Sequence, residues 1–502
     1  MPRTLTVATF TGFLVTAVAV LAGCSAQPAP TEHVEPGEAT GAGVQLFQLP
    51  WTSIADECEQ TLGPAGFAWV LTSPPNEHIV GEQWWTSYQP VSHRIESRLG
   101  TREEFADMVA RCDAAGVEIV ADAVINHMTG QNTAGTGFAG TAFEHYDYPG
   151  LYGPGDFHYC GLAASGDIED YGSREQVQDC ELVNLADLDT SSEAVRAKTV
   201  GYLDDLLSLG VAGVRVDAAK HMAADDVEAI VSQLPGGTRI LSEVIRGAGE
   251  PVQPEEYTGF GDVFEFTYGR DLAQPLQSGV WSDPTLRDAD DEYVRAQHVP
   301  SDRAIVFVDN HDTERGEAKI TYKRGDLYVL ANVLMLGDDY GTPVVYSGYA
   351  FTDRDAGPRA DEDGRAQDAS CAGVDGPVDA YEDGERTCVQ SWTAIRGMLA
   401  FHDAVGDVHR MPGVESGDAY GFERAGRGVV AVNPGEAAET LEIPTTMPAG
   451  DYCDVVSGGP DATTEDGCRG AVFIVDDGVA TLKLPGRTAA AIHIDAAAPP
   501  AS

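Results

Sequence analysis

The chain has 502 residues, 43% of them hydrophobic, and carries 80 acidic against 31 basic side chains, a formal net charge of -49. The length allows roughly two or three domains and the apolar share is ample for a core. So acidic a chain excludes binding of nucleic acid, or of an anionic membrane, through a basic surface; a neutral ligand fits better.

Residues 1–23 read as a targeting segment, with Arg3 at the start and an apolar run from Phe10 to Leu21. Such a segment is removed and takes no part in the fold. Its ending, Leu21-Ala22-Gly23-Cys24, resembles a bacterial lipoprotein signal, which implies lipidation of Cys24. Residues 24–42, rich in Ala, Pro, Glu, Gly and Thr, are expected to form a flexible tether. No later apolar run reaches the ~20 residues of a membrane span.

Residues 43–51 alternate apolar and polar, as a strand does, and residues 53–63 are predicted as a helix capped by Ser53 and stopped by Gly63-Pro64. Residues 67–72 are a second strand, followed by a loop carrying Trp84, Trp85, Tyr88 and Gln89. Thr101 and Glu104 form a capping box, opening a helix that runs to Ala115-Gly116. Residues 117–124 are a third strand, ending at Asn126-His127. This alternation means βαβ units and a parallel sheet. It stops over 128–188, which is Gly-, Asp- and Tyr-rich; an excursion of that length reads as an inserted subdomain. Helical patterning resumes at 193–209. Residues 210–221, Gly-Val-Ala-Gly-Val-Arg-Val-Asp-Ala-Ala-Lys-His, start as a buried strand and end in charge. Further strands are expected at 239–245, 262–266, 304–308 and 344–349, with a helix at 327–336 between the last two. Eight strands alternating with helices predict a (β/α)8 TIM barrel over 43–127 and 189–402. The acidic stretch 353–386 reads as a surface loop. From 403 to 495 short strands and turns (428–432, 440–443, 471–475, 479–484, 489–494) predict a C-terminal all-β sandwich.

Nine cysteines leave eight once Cys24 is set aside, an even number in a chain bound for an oxidising compartment. Nearness in sequence pairs Cys160 with Cys180, Cys371 with Cys388 and Cys453 with Cys468, which leaves Cys58 with Cys112.

Four strand ends carry polar clusters: Asp122, Asn126 and His127; Arg215, Asp217, Lys220 and His221; Glu243; and Asp309, Asn310, His311 and Asp312. A barrel brings its strand ends to one rim, where catalysis sits. Asp217, Glu243 and Asp312 would then share a cleft. Paired carboxyl groups flanking a bond are what glycoside hydrolysis needs. Trp84, Trp85 and Tyr88 offer flat faces for sugar rings. Arg215, two residues before Asp217, projects the same way and should hold Asp217 ionised.

Taken together, Asp-Ala-Val-Ile-Asn-His, Gly-Val-Arg-Val-Asp-Ala-Ala-Lys-His, Ser-Glu-Val-Ile and Phe-Val-Asp-Asn-His-Asp resemble, in order and spacing, the four signature regions of the α-amylase family (glycoside hydrolase family 13). The likeness is to animal-type and actinobacterial members. It implies an extracellular, retaining endo-hydrolase of α-1,4-glucans, a monomer whose one partner is its polysaccharide substrate, held to the membrane only through lipid on Cys24. Asp217 would be the nucleophile, Glu243 the general acid and base, and Asp312 the transition-state stabiliser. Trp84, Trp85, Tyr88, Gln89, His127, Arg215, Lys220, His221 and His311 would contact the sugar chain. The family's structural Ca²⁺ would be held by side chains of Asn126 and Asp187 and main-chain carbonyls of Gln178 and His221. Animal-type members also bind an activating chloride. Arg215 and Asn310 match two of its ligand positions, but the third, basic in those members, is Val344, so weak or no chloride dependence is expected. The Gly-rich loop that follows the last signature region in those members is replaced by Thr-Glu-Arg-Gly-Glu. A maltogenic amylase or transglycosylase of the same family, and a non-catalytic glucan-binding lipoprotein, are the competing readings.

Overall fold

The computed structural model describes residues 1–2, 41–130, 134–281, 297–464 and 467–499. The targeting segment from residue 3 on, Cys24 and nearly all of the tether lie outside those residues. No helix among the described residues is long and apolar enough to cross a membrane.

Eight parallel strands close a barrel. In chain order they are Gly43–Leu46, Trp69–Thr72, Glu118–Ala123, Gly213–Val216, Arg239–Ser242, Asp262–Phe264, Ala304–Val306 and Thr342–Ser347. Closure comes where the first strand pairs with the eighth, Gly43 opposite Val344. Most of the strands are shorter than the apolar runs predicted; the eighth keeps its predicted length but starts two residues earlier, at Thr342. Side chains alternate across the barrel wall. Trp69, Leu71, Val120, Leu241, Phe264, Ile305, Phe307 and Val344 fill the interior. Ile119, Val214, Val216 and Ile240 face outward into the core shared with the helices.

The first helix departs from expectation. It starts at Trp51, with Pro50 at its cap position and no side-chain cap. Ser53 instead accepts from Ala369 N at 3.0 Å. Helical backbone also runs through Gly63-Pro64, since Pro64 opens the short helix Gly63–Ala65, where a missing N–H is tolerated. Gly66 stops it at φ +89. The Thr101–Glu104 capping box is present, and the helix Arg102–Ala114 follows it.

The insert leaves the top of strand three and returns to it. Residues 127–130 pair antiparallel with 185–187, His127 opposite Asp187. A small separate core, including Met128, Tyr148, Tyr152, Phe157 and Leu188, supports it. Between Ser347 and Val389 there is no helix or regular strand.

The C-terminal part is two four-stranded antiparallel sheets. Three of its strands, Val414–Ser416, Ala419–Arg424 and Gly450–Cys453, were not anticipated. Two are short. The third is buried at every position, so it shows no alternation. It is buried because it lies against the barrel: Arg424 donates to the carbonyls of Gly337 and Asp338 at 3.0 and 2.6 Å. Trp281 stacks on Tyr420 with ring centroids 4.7 Å apart. All four predicted disulfides form, Cys58–Cys112, Cys160–Cys180, Cys371–Cys388 and Cys453–Cys468.

Gly397 lies inside the helix Thr393–Val405, where glycine is normally unfavourable. A Cβ there would stand 1.9 Å from Val455 O of the C-terminal part. Gly397→Ala should therefore lower the thermal midpoint despite its better helix propensity, by overpacking worth about 1–3 kcal/mol. Calorimetry of the purified protein checks this.

Candidate active site

Strand pairing builds the centre of the site. Asp122 on strand three lies opposite Arg215 on strand four. Period two puts Asp122 on the interior face with Val120, and Asp217 on the same side as Arg215. The Arg215 side chain is 2% exposed. Its guanidinium pairs with Asp122, with Asp217 at 2.9 Å and with Glu243 at 3.0 Å. Arg215 is thus beneath the cleft, among carboxylates, and not on the wall that meets a ligand. It was expected to contact the sugar chain, and it is not among the residues that line the cleft.

Glu243 is oriented twice. One oxygen meets Arg215, and the other accepts from Ala218 N at 2.8 Å. Ala218 can point that N–H because it adopts φ +50. Tyr88 donates its hydroxyl to Asp122 at 2.9 Å. Its ring stacks on His311, 5.1 Å between centroids and 10° off parallel. Gln45 Nε2 lies 3.0 Å from His311 Nδ1 and so keeps that proton on Nε2, which faces Asp312 Oδ2 at 3.2 Å.

These groups open into a cleft of about 540 Å³. Of the residues expected at the site, Trp84, Trp85, Tyr88, Gln89, His127, Asp217, Lys220, His221, Glu243, His311 and Asp312 line it. Several have fixed secondary duties. Gln89 accepts from Gly130 N at 3.0 Å, tying the loop to the insert. His127 has both ring nitrogens engaged, one with Tyr88 O at 3.0 Å and one with Asn126 at 3.3 Å. Lys220 donates to Ile245 O at 2.8 Å and pairs with Glu250. Asn310 accepts from Asp312 N and Thr313 N, which shapes the turn carrying Asp312.

Burial sets the protonation of the site. It raises the Asp217 carboxyl above its ordinary range, and the Arg215 charge opposes this without cancelling it. The pull of Arg215 toward the ionised form is therefore present, as expected, but burial outweighs it. Burial and the Glu243 charge raise Asp312 as well. Asp122 is pushed up to about 7 by burial, against the pull of Arg215.

Sequence reasoning missed several lining residues, namely Tyr171, Leu182, Val183, Leu185, Ile245 and Glu317. Most come from the insert, which has no periodicity to read. Val183 and Asn184 both adopt left-handed backbone, φ +45 and +64, which Asn tolerates and which costs the β-branched Val183 about 1–2 kcal/mol.

The predicted metal ligands lie on segments where insert and barrel meet. Leu188 N bonds Asn126 O at 2.9 Å, and His221 Nδ1 bonds Val177 O at 3.0 Å, next to Gln178. Asn126 Oδ1 and Asp187 Oδ1 are buried without a hydrogen-bond partner. Buried oxygens left in that state are what a hard cation satisfies. The other Asp187 oxygen meets His158 at 2.7 Å. Among the described residues there is no cluster of three or more His, Cys, Asp or Glu able to hold a metal. A site of one carboxylate, one carboxamide and two carbonyls would form no such cluster.

The comparisons with known proteins agree with this geometry. Residues 415–495 match the family model described as the α-amylase C-terminal all-beta domain. The chain is 44% identical to an α-amylase of Streptomyces violaceus, over 96% of this chain and 79% of that protein. It is 38% identical to an α-amylase of Tenebrio molitor, over 90% and 97%. The solved structure of α-amylase I from Eisenia fetida superposes with a TM-score of 0.82 at 33% identity, covering 92% of this chain and 99% of that one. The chain belongs to the α-amylase family. It is a glycoside hydrolase of that type, and the family's (β/α)8 barrel and all-β C-terminal domain are both present.

Burial of several histidines, among them His78, His127 and His221, should make the protein acid-sensitive. Burial pushes His78, His127 and His221 each down to about 4, below the 6.5 of an unfolded chain. The fold therefore needs them neutral. Their contribution is fully present above pH 6.5 and is lost as pH falls through about 4. The thermal midpoint should drop across that window. His78→Gln, which can still bond Ile79 O and Arg98 N, should flatten the drop in a pH series.

Proposed function

We propose that the protein is a retaining endo-hydrolase of α-1,4-glucosidic bonds in starch, glycogen and maltooligosaccharides. The observation that carries this reading is the single buried guanidinium shared by Asp217 and Glu243 at the floor of an aromatic-walled cleft. Asp217 attacks the anomeric carbon while Glu243, protonated, gives its proton to the leaving oxygen. Glu243 then takes a proton from water, which releases the sugar with its anomeric configuration kept. Asp312 and the His311 Nε2–H hold ring hydroxyls as positive charge develops on the sugar. Tyr88, fixed by Asp122 and by His127 through its carbonyl, stacks beneath that ring. Trp84, Trp85 and Gln89 border the chain on one side; Lys220 and His221 meet the leaving portion.

A Ca²⁺ held by Asn126, Asp187 and the carbonyls of Gln178 and His221 would pin the insert to the barrel top. The two partnerless oxygens support it. Chloride has no comparable support. Arg215 already faces three carboxylates, and Val344 is packed among apolar side chains of the barrel interior. The four disulfides fit an oxidising compartment, and Cys24 offers the lipid attachment that would keep the enzyme at the outer face of a bacterial membrane. In this reading residues 43–127 and 189–402 form the catalytic domain, 128–188 the insert and 403–495 the C-terminal domain.

Digestion of soluble starch, followed by NMR of fresh products, should show new α-anomeric ends with a rapid fall in polymer size. Asp217→Asn should remove turnover, at least about 10⁴-fold, with the circular dichroism spectrum kept. Accumulation of β-anomeric product would overturn the retaining mechanism. Dialysis against a chelator should lower the thermal midpoint, whereas millimolar chloride should leave kcat unchanged; the opposite result for either ion removes that part of the reading.

A further inference from the structure

The first barrel strand delivers two residues to the back of His311. Gln45 lies near the end of that strand and Phe47 just past it, two positions apart and so on the same side. They are 5% and 0% exposed, and neither lines the cleft. Gln45 Nε2 stands 3.0 Å from His311 Nδ1. A carboxamide nitrogen only donates, so Nδ1 has to accept. Two rings stack on His311: Phe47, with centroids 4.8 Å apart and 20° off parallel, and Tyr88, at 5.1 Å and 10°. An imidazole has room for one such partner on each face, so the ring is sandwiched. A flip about its Cβ–Cγ bond would sweep it out of its plane and into one of them. Nδ1 and Nε2 therefore cannot change places.

The charged groups facing His311 are the guanidiniums of Arg215 and Arg315 and the carboxyl of Asp312. Burial and the two guanidinium charges push His311 well below its ordinary range, so the ring carries one proton. With Nδ1 accepting, that proton is on Nε2, 3.2 Å from Asp312 Oδ2. The opposite tautomer would set an Nε2 lone pair against a carboxylate. The ring is thus a fixed dipole aimed out of the barrel interior, and the residue that sets its sense lies behind the cleft wall.

We propose that Gln45 is a positioning residue for turnover: its carboxamide selects the Nε2–H form of His311, so that the ring can only donate, to Asp312 in the empty cleft and to a sugar hydroxyl when the cleft is filled. This deepens the α-glucan reading and rests on it. The donor counts most as positive charge grows on the sugar and its hydroxyls become more acidic, so the loss on substitution falls on kcat more than on KM.

The test uses the whole enzyme with maltoheptaose. Gln45→Met keeps the length and removes the donor; kcat should fall about three- to ten-fold. Gln45→Glu keeps the shape and reverses the sense. Ionised, the introduced carboxyl accepts from Nδ1 and draws the proton there, while Arg215 and Arg315 disfavour a second one. At about pH 8 kcat should fall about 10²-fold, the value of one transition-state donor. The deficit against wild type should shrink toward about pH 5, where the carboxyl gains a proton and donates to Nδ1 as the carboxamide did. Nitrogen-15 spectra of histidine-labelled protein should show one ring whose bare nitrogen is Nδ1 in the wild type and Nε2 in Gln45→Glu at the higher pH. A packing role predicts another order, with Glu, the nearest in shape, doing the least harm at every pH. That order, or wild-type kcat in Gln45→Met, overturns the inference alone. If Gln45→Glu does not fold, kcat of Gln45→Met decides. A wild type that does not cleave maltoheptaose overturns the glucanase reading, and this inference with it.

Discussion

One buried guanidinium holds the active centre together. Arg215 lies at the top of the barrel interior with three carboxylates on it, from strand three, from its own strand end and from strand five. A lone cation at that depth would be strongly disfavoured, and so would each carboxylate without it. Their mutual attraction makes the cluster tolerable, and it leaves the acids crowded in a low-dielectric place where their protonation responds to one another. The barrel supplies what this needs. Parallel register sets Asp122 opposite Arg215, and Arg215 opposite Leu241 two residues before Glu243. Neighbouring strands thus deliver the acids at the same height without any loop having to search for them.

Much of this was legible from the chain alone, because a strand that is apolar throughout and ends in charge has few other interpretations. Asp217, Glu243 and Asp312 could be picked out for that reason. Depth could not. Arg215 and Asp217 share a face, yet one is under the floor and the other on it, and only the closed sheet decides which. Asp122 was visible as a strand-end acid, but its duty depends on who sits opposite, which is a matter of register. The strand Ala419–Arg424 escaped notice because burial on both sides erases alternation. The first helix began early, at Trp51, because no capping residue is required where Trp51 N can bond Leu99 O of a neighbouring loop. The left-handed Val183 breaks a local preference, so no residue-by-residue rule would have found it.

The cleft is the product of two bodies. Strand three and its outgoing residues belong to the barrel, while Leu182, Val183 and Leu185 come from the insert. The pairing of His127 with Asp187 and the bond from Gly130 to Gln89 fix how far apart the two walls stand. The partnerless oxygens of Asn126 and Asp187 lie on this same seam. Neither oxygen belongs to one of the carboxylates that line the cleft.

The disulfides carry a consequence for how the chain matures. Setting Cys24 aside, every bridge joins one cysteine to the next in sequence, with separations of 54, 20, 17 and 15 residues. No bridge encloses another. A polypeptide threaded through a membrane from its N-terminus presents its thiols in that order, and the second thiol of each pair meets a single unpaired predecessor. Oxidation in order of emergence then gives the native set directly, with no exchange between mispaired sulfurs. Nested or crossed bridges would have to wait for later segments. Here the barrel, the insert and the C-terminal sheets can each be locked as they appear.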